Sequence, residues 1–415
     1  MKKSIRSLFL LAALAGFAVP AESMGKRNVE LSPVDYRLER ELSLPDIWTA
    51  LHPEDEGPTI VASEESIQFL GTSGRELKRL QRPPYSDVIF SKDGAYIGLR
   101  ELAVPGKDPG APRMLTFSLF SRDGQKLWTV HHSLDYDDPL PGFRISSAGR
   151  VVMVESPESI LSFYDEQGSV DRRVQLFGDA LWSNERPMAY AFSADGEHFA
   201  VNALDRLPRT GDEMSPREPG RSFLILLDAR GTELWRRQLD SELSTRVAIS
   251  DRGECIAAGG YAVKGMDVVE QSTFLYNGRG EFTATLDIPF RFADFSADGQ
   301  LLLLGWKNDL HLVRTASGKR PWTLSLPAEA GQLRTLALAP DGGLALALQA
   351  AANYRGSRFV YTHPRVSLHD QTGRQIWQGE FPEDSFLRPT AGFLEDGGRF
   401  FLALTGRYLI YGPEK

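Results

Sequence analysis

The chain has 415 residues, of which 47 are Lys or Arg and 55 are Asp or Glu, giving a formal charge of -8. A content of 42% hydrophobic and 25% charged residues, with 38 Gly and 25 Pro, excludes collagen, coiled coil and wholesale disorder. It leaves a globular chain too long for one small core, so either several domains or one large repeat architecture is required.

Residues 1–21 read as a secretory signal. Lys2, Lys3 and Arg6 precede a 12-residue apolar run from Leu8 to Val19, and Val19 and Ala21 supply small residues at the exit. The run is well short of the roughly 20 residues that span a bilayer. Cleavage after Ala21 is expected, leaving a periplasmic or secreted protein with no integral membrane segment. No Cys stands at the exit to carry a lipid. The mature part then holds 44 bases against 55 acids, which argues against nucleic acid as a partner. Residues 22–35 read as a flexible lead-in and 36–415 as a single domain.

From there two kinds of turn alternate along the chain. The first follows a strand with Ser/Pro-x-Asp-Gly: Phe90 to Gly94, Phe192 to Gly196 and Phe295 to Gly299 are the clearest copies. Gly149, Gly253, Gly342 and Gly397 mark weaker ones, and Glu56-Gly57 is a degenerate eighth. Asp-Gly suits tight hairpins because Gly reaches positive φ freely and Asp can bond its own backbone. The second turn has the form x-x-Gly, with Gly74, Gly124, Gly168, Gly231, Gly280, Gly318 and Gly373. Seven intervals separate Gly57 from Gly397, averaging about 49 residues, close to the repeat of a four-stranded propeller blade.

In four of the second turns a Trp follows the Gly by four residues: Trp128, Trp235, Trp322 and Trp377. Asp228 to Trp235 and His369 to Trp377 resemble the tryptophan-docking repeats of pyrroloquinoline-quinone-type propellers, and Phe192 to Gly196 resembles the WD40-like pattern. The resemblance covers almost the whole mature chain and implies an all-β propeller of four-stranded antiparallel blades. These tryptophans are expected to fill the wedge between neighbouring sheets. The architecture is also similar to the propeller subunit of the bacterial outer-membrane assembly machinery.

After Gly397 the chain supplies only two more strands, so the last blade lacks its outer one. Tyr36 to Leu44 can provide it, satisfying an open edge and joining the termini. This count gives eight blades, or seven if the Glu56-Gly57 unit is not a blade.

Long insertions at 103–113, 203–221, 261–271 and 350–364 all fall in middle hairpins and should share one face, where binding residues concentrate on a rigid scaffold. Arg144, Arg246, Arg291, Arg334 and Arg388 recur near the starts of innermost strands and are expected to line the mouth of the central channel. Their forked donors suit carboxylate, phosphate or sulfate. The last insertion adds a basic and aromatic loop of Tyr354, Arg355, Arg358, Tyr361, His363 and Arg365, suited to stacking and anion contact.

Catalytic and metal signals are sparse. Cys255 is the sole cysteine and lies in an apolar run, so no internal disulfide or multi-thiolate zinc site can form. His131 and His132 sit on one strand, where alternation sends them to opposite faces. Asp135 to Asp138 lacks the spacing of a dedicated calcium loop. No cofactor is expected. The sequence therefore favours a monomeric, non-catalytic module that binds a protein or an anionic polymer. The alternative is a propeller enzyme, a quinone-dependent dehydrogenase or a lyase or hydrolase, working at the channel mouth.

Overall fold

The computed structural model describes residues 35–44, 47–51, 58–71, 73–83, 86–103, 112–135, 138–155, 159–177, 188–205, 221–264, 267–355, 358–388, 390–394 and 396–414. They form eight antiparallel sheets whose strands run in chain order from the inside outward. Blades 1 to 7 occupy 47–81, 86–134, 142–175, 188–238, 243–286, 292–325 and 332–380. Blade 8 takes three strands from the end of the chain, Thr390–Phe393, Phe400–Leu404 and Arg407–Pro413, and its outermost strand is Tyr36–Ser43. The seven-blade alternative is thereby removed. Ile47–Leu51 and Thr59–Ser63 pair on either side of the Glu56-Gly57 unit, whose residues lie outside those described. The signal segment and most of the lead-in lie outside them too.

The repeat is written in side-chain bonds to the backbone. In the first hairpins the Ser hydroxyl accepts the N–H five residues on: Tyr96 to Ser91, His198 to Ser193, Cys255 to Ser250 and Leu301 to Ser296, each at 3.0 Å. Ser91 and Ser296 donate in turn to Asp93 and Asp298 at 2.7 Å. These serines are at most 2% exposed, so the bonds satisfy groups that water cannot reach. In the second hairpins an Asp or Asn accepts two N–H groups; Asp228, for example, takes those of Arg230 and Thr232 at 2.9 and 2.8 Å. The fourteen glycines that close the described turns all have φ between 64° and 81°, the left-handed region that the sequence pattern demanded.

Neighbouring blades meet at these same turns. At five junctions the residue four after a second-turn glycine lies against the second-turn glycine of the next blade, whereas Gly231 of blade 4 meets Phe163 from the third strand of blade 3. Trp128 covers Gly168, Trp235 covers Gly280 and Trp322 covers Gly373, so closely that a Cβ on the glycine would come within 2.8, 2.7 and 2.9 Å of the indole. Trp235 also donates its indole N–H to the Gly278 carbonyl at 2.9 Å. Where the sequence lacks Trp, other side chains take the post. Lys78 lies along Gly124 and donates to its carbonyl at 2.9 Å, and Ala284 covers Gly318. Leu42 of the N-terminal strand covers Gly74 and so joins blade 8 to blade 1. Blade 8 has no second hairpin, and Trp377 packs instead among Tyr36, Phe400 and Tyr411, with ring centroids at 6.2, 5.3 and 5.2 Å.

Two outcomes follow for stability. Gly397→Ala should cost only the strain of positive φ, about 1–2 kcal/mol, because its nearest neighbour is 3.5 Å from the added Cβ. Gly280→Ala should lose about 1–3 kcal/mol more by crowding Trp235; urea melts of both variants check the order. Hydrogen bonds from the Ser296 hydroxyl and the Gln300 N–H hold the Asp298 carboxyl below its ordinary value. That contribution is present above the unfolded pKa of about 4 and is lost as pH falls through the lower folded value. Urea midpoints measured from pH 7 down to 2.5 should therefore fall less steeply for Asp298→Asn than for the parent.

Candidate functional site

The starts of the innermost strands and the middle hairpins share one face of the ring. Arg144, Arg246 and Arg334 lie within the innermost strands Gly142–Ile145, Leu243–Ile249 and Gln332–Leu338. Arg291 directly precedes Phe292–Phe295, and Arg388 precedes Thr390–Phe393 by two residues. Their surroundings divide them. Arg388 reaches over blade 1 to Asp87 of blade 2 at 2.8 Å, and Arg100 holds the other oxygen of the same carboxylate. Burial disfavours the Asp87 charge, yet the two guanidiniums outweigh it and hold the carboxyl below its ordinary value. The other four arginines have no carboxylate partner among the described residues.

Arg246 and Arg334 stand where the register of their strands slips, between Ser244 and Val247 and between Leu333 and Thr335. A bulge of this kind re-aims a side chain. Each is pinned from the preceding blade by an Asn. Asn202 donates to the carbonyls of Arg246 and Gly259 at 2.8 Å. Asn308 donates to the Gly331 carbonyl at 3.0 Å and accepts the Leu333 N–H at 2.9 Å. Sequence reasoning passed over both, although Asn202 interrupts an apolar strand and was visible as an anomaly.

Arg246 and Arg291 are exposed, and Arg291 lies 5.3 Å from the Phe292 ring. Arg334 is buried, with its Nε donating to the Ala350 carbonyl at 3.0 Å and its guanidinium 4.7 Å over the Tyr361 ring. Burial pushes its pKa down, Tyr361 opposes this, and Arg291 adds to it. The guanidinium still remains charged.

The insertion carrying Tyr361 corrects an expectation. It is not a loop but a ribbon built by extending Leu344–Arg355 and Arg358–Asp370, with Ser385–Phe386 added alongside. The 261–271 insertion is likewise strand, in Cys255–Lys264 and Asp267–Asn277. Continued backbone pairing removes the open edges that a loop would leave. Along the first ribbon the six expected residues separate. Tyr354 is 66% exposed and meets the equally open Phe359 edge to face at 5.3 Å, whereas Tyr361 stacks on Phe386 at 5.2 Å. His363 has φ 53° and bonds Thr362, and Arg365 pairs with Glu380 at 3.2 Å. The side chains of Arg355 and Arg358 lie outside the described residues, as do 104–111 and 206–220.

At the opposite end of the channel the first turns converge. Lys92 of blade 2 forms an ion pair with Asp251 of blade 5. Asp294 is half-buried, and it accepts the N–H groups of Leu338 and Phe295 at 2.9 and 3.1 Å. Burial raises its carboxyl pKa, with Lys92 opposing. A cavity of about 210 Å³ lies beside Lys92 and Arg144. Elsewhere Cys255 is a core thiol, pushed up to about 12 by burial. His131 bonds Thr116 while His132 bonds Tyr164 of the next blade, diverging as strand alternation requires.

No family model and no curated protein matches the chain. Among solved structures, BamB from Moraxella catarrhalis is similar over 91% of this chain and 100% of its own, at 12% identity and a TM-score of 0.55. The C-terminal WD40 domain of Sif2 is similar over 92% of this chain and 99% of its own, at 10% identity and a TM-score of 0.57. The Dos1 propeller is similar over 91% and 95%, at 13% identity and a TM-score of 0.52. At these identities the likeness concerns the fold, a WD40-like β-propeller.

Proposed function

We propose that the protein is a propeller binding module that holds an acidic segment of a protein partner on the face of the middle hairpins, with an anionic polymer offering the same chemistry on another carrier. The observation that carries this reading is the arc of Arg246, Arg291 and Arg334 on consecutive blades, none with a carboxylate partner among the described residues. Guanidiniums left without acids on a protein of negative net charge are placed for an external anion. The ribbon supports it, because Arg334 lies over Tyr361 at the ribbon's base and Tyr354 and Phe359 stand open further along the strands. Exposed aromatics beside arginines are the residue types enriched in interface anchors.

The same reading assigns residues 1–21 to a cleaved signal, places the mature chain in the periplasm or outside the cell, and takes 36–415 as one domain acting as a monomer without catalysis. Among the described residues, no helix is long and apolar enough to cross a membrane. The docking of Trp128, Trp235 and Trp322 on turn glycines supports grouping these blades with quinoprotein-type repeats.

The test is fluorescence anisotropy with a labelled oligoglutamate peptide and, in parallel, a labelled polyphosphate. The parent should bind one of them with affinity that falls as salt rises. The exposed pair Arg246→Glu and Arg291→Glu should weaken binding by about tenfold or more. Equal binding by a variant that melts like the parent would remove the mouth as the site.

A further inference from the structure

We propose that the cavity inside the channel binds a small organic monocarboxylate with a compact apolar body, gripped by Arg144. The cavity lies among the innermost strands and first turns of blades 2, 3 and 4, where Phe90, Ile145, Ala191 and Phe192 supply apolar lining and Lys92 and Arg144 supply charge. No acid is among its lining residues. It stands apart from the acidic-partner reading, which concerns the mouth.

Most of the polar groups around this space are already committed. Lys92 is held by Asp251, and the Ser147 hydroxyl donates to the Ala194 carbonyl. Ser193 bonds Asp195 and accepts the His198 N–H. Arg144 is different. A guanidinium carries five N–H donors, and Arg144 commits Nη1 to the Phe143 carbonyl at 2.9 Å. The acid at the matching strand position of blade 6, Asp294, is turned to the backbone N–H groups of Leu338 and Phe295 instead. Arg144 is exposed, so its free donors are accessible, and a cation without a carboxylate partner beside apolar residues favours a ligand with one negative charge and an apolar body.

The grip is also prepared in advance. The guanidinium lies 4.7 Å over the Tyr190 ring, which holds it in place. Tyr190 can lie there because residue 142 is glycine; a Cβ at that position would collide with the Tyr190 hydroxyl. Fixing a binding group before the ligand arrives lowers the entropic cost of binding.

Volume narrows the class. The space is partly open to solvent and not enclosed, and drug-sized ligands need about 300 Å³ or more. The 210 Å³ here suits one ring or short chain with its carboxylate.

The experiment uses the full chain, with benzoate and hexanoate as probes and benzyl alcohol as the neutral isostere, read by saturation-transfer NMR and titration. Benzoate or hexanoate should bind, with benzyl alcohol at least about tenfold weaker. Arg144→Ala should lose about tenfold or more in affinity, and Gly142→Ala should also weaken it by displacing Tyr190. Arg246→Glu should leave it within about twofold, since Arg246 does not line the cavity. The proposal is overturned if neither carboxylate binds, if benzyl alcohol binds as well as benzoate, or if a folded Arg144→Ala binds like the parent. Should Arg144→Ala fail to fold, the contrast between benzoate and benzyl alcohol on the parent decides alone. Failure of the peptide at the mouth would leave these readouts untouched.

Discussion

The ring depends on one close approach, repeated at all but one of the junctions between blades: a side chain, from the outer strand in every case but Phe163, lying on the turn glycine of the next sheet. Four-stranded sheets twist and splay from the axis outward, so the rim is where neighbouring blades have most space to fill. Indole rings fill it at three junctions, and a Lys stem, an Ala and a Leu serve at others. The glycine is required twice over, once by φ and once by the ring above it. Burial of eight cores, each shared by consecutive blades, supplies the bulk of the stabilisation, and the rim contacts fix how the blades sit against each other.

This dependence explains why the architecture was legible in the sequence. Gly94 through Gly397 and Gly74 through Gly373 are positions that other residues occupy only under strain, so their order carries the hairpins and their spacing carries the blade count. The missing outer strand after Tyr411 called for Tyr36 to Leu44, and that pairing is present. The substitutes for Trp were not legible. Nothing in the local pattern says that Lys78 would lay its stem on Gly124 and donate to its carbonyl, because that role depends on a neighbour some 46 residues away.

The site was legible only in part, for a related reason. Sequence position puts five arginines at the entries of inner strands, but whether each is neutralised depends on contacts between blades. Arg388 meets Asp87 across 301 residues, and Arg334 turns to Tyr361 because a bulge redirects it. Bulges leave little trace in a local pattern, whereas the Asn residues that pin them are visible as polar breaks in apolar strands. The ribbon was missed as strand because its Ala-rich run lacks the alternation that marks a half-buried sheet. Strand pairing continues there through backbone bonds, joined by cross-strand contacts such as Asn353 to Thr362 at 2.7 Å that no local pattern announces.

The composite last blade has a bearing on how the molecule is made. Tyr36–Ser43 is among the first parts of the described chain to be synthesised, and its partner Arg407–Pro413 is among the last. Throughout synthesis the early strand has no mate, and the edge it will cover does not yet exist. Such unpaired edges invite pairing with other chains. When residues 407–414 arrive, the Glu414 N–H bonds the Asp35 carbonyl at 2.6 Å, and both ends of the described chain are tied into a single sheet. Closure of the ring thus waits for residues 407–413, and a chain cut short before residue 407 leaves the circle open.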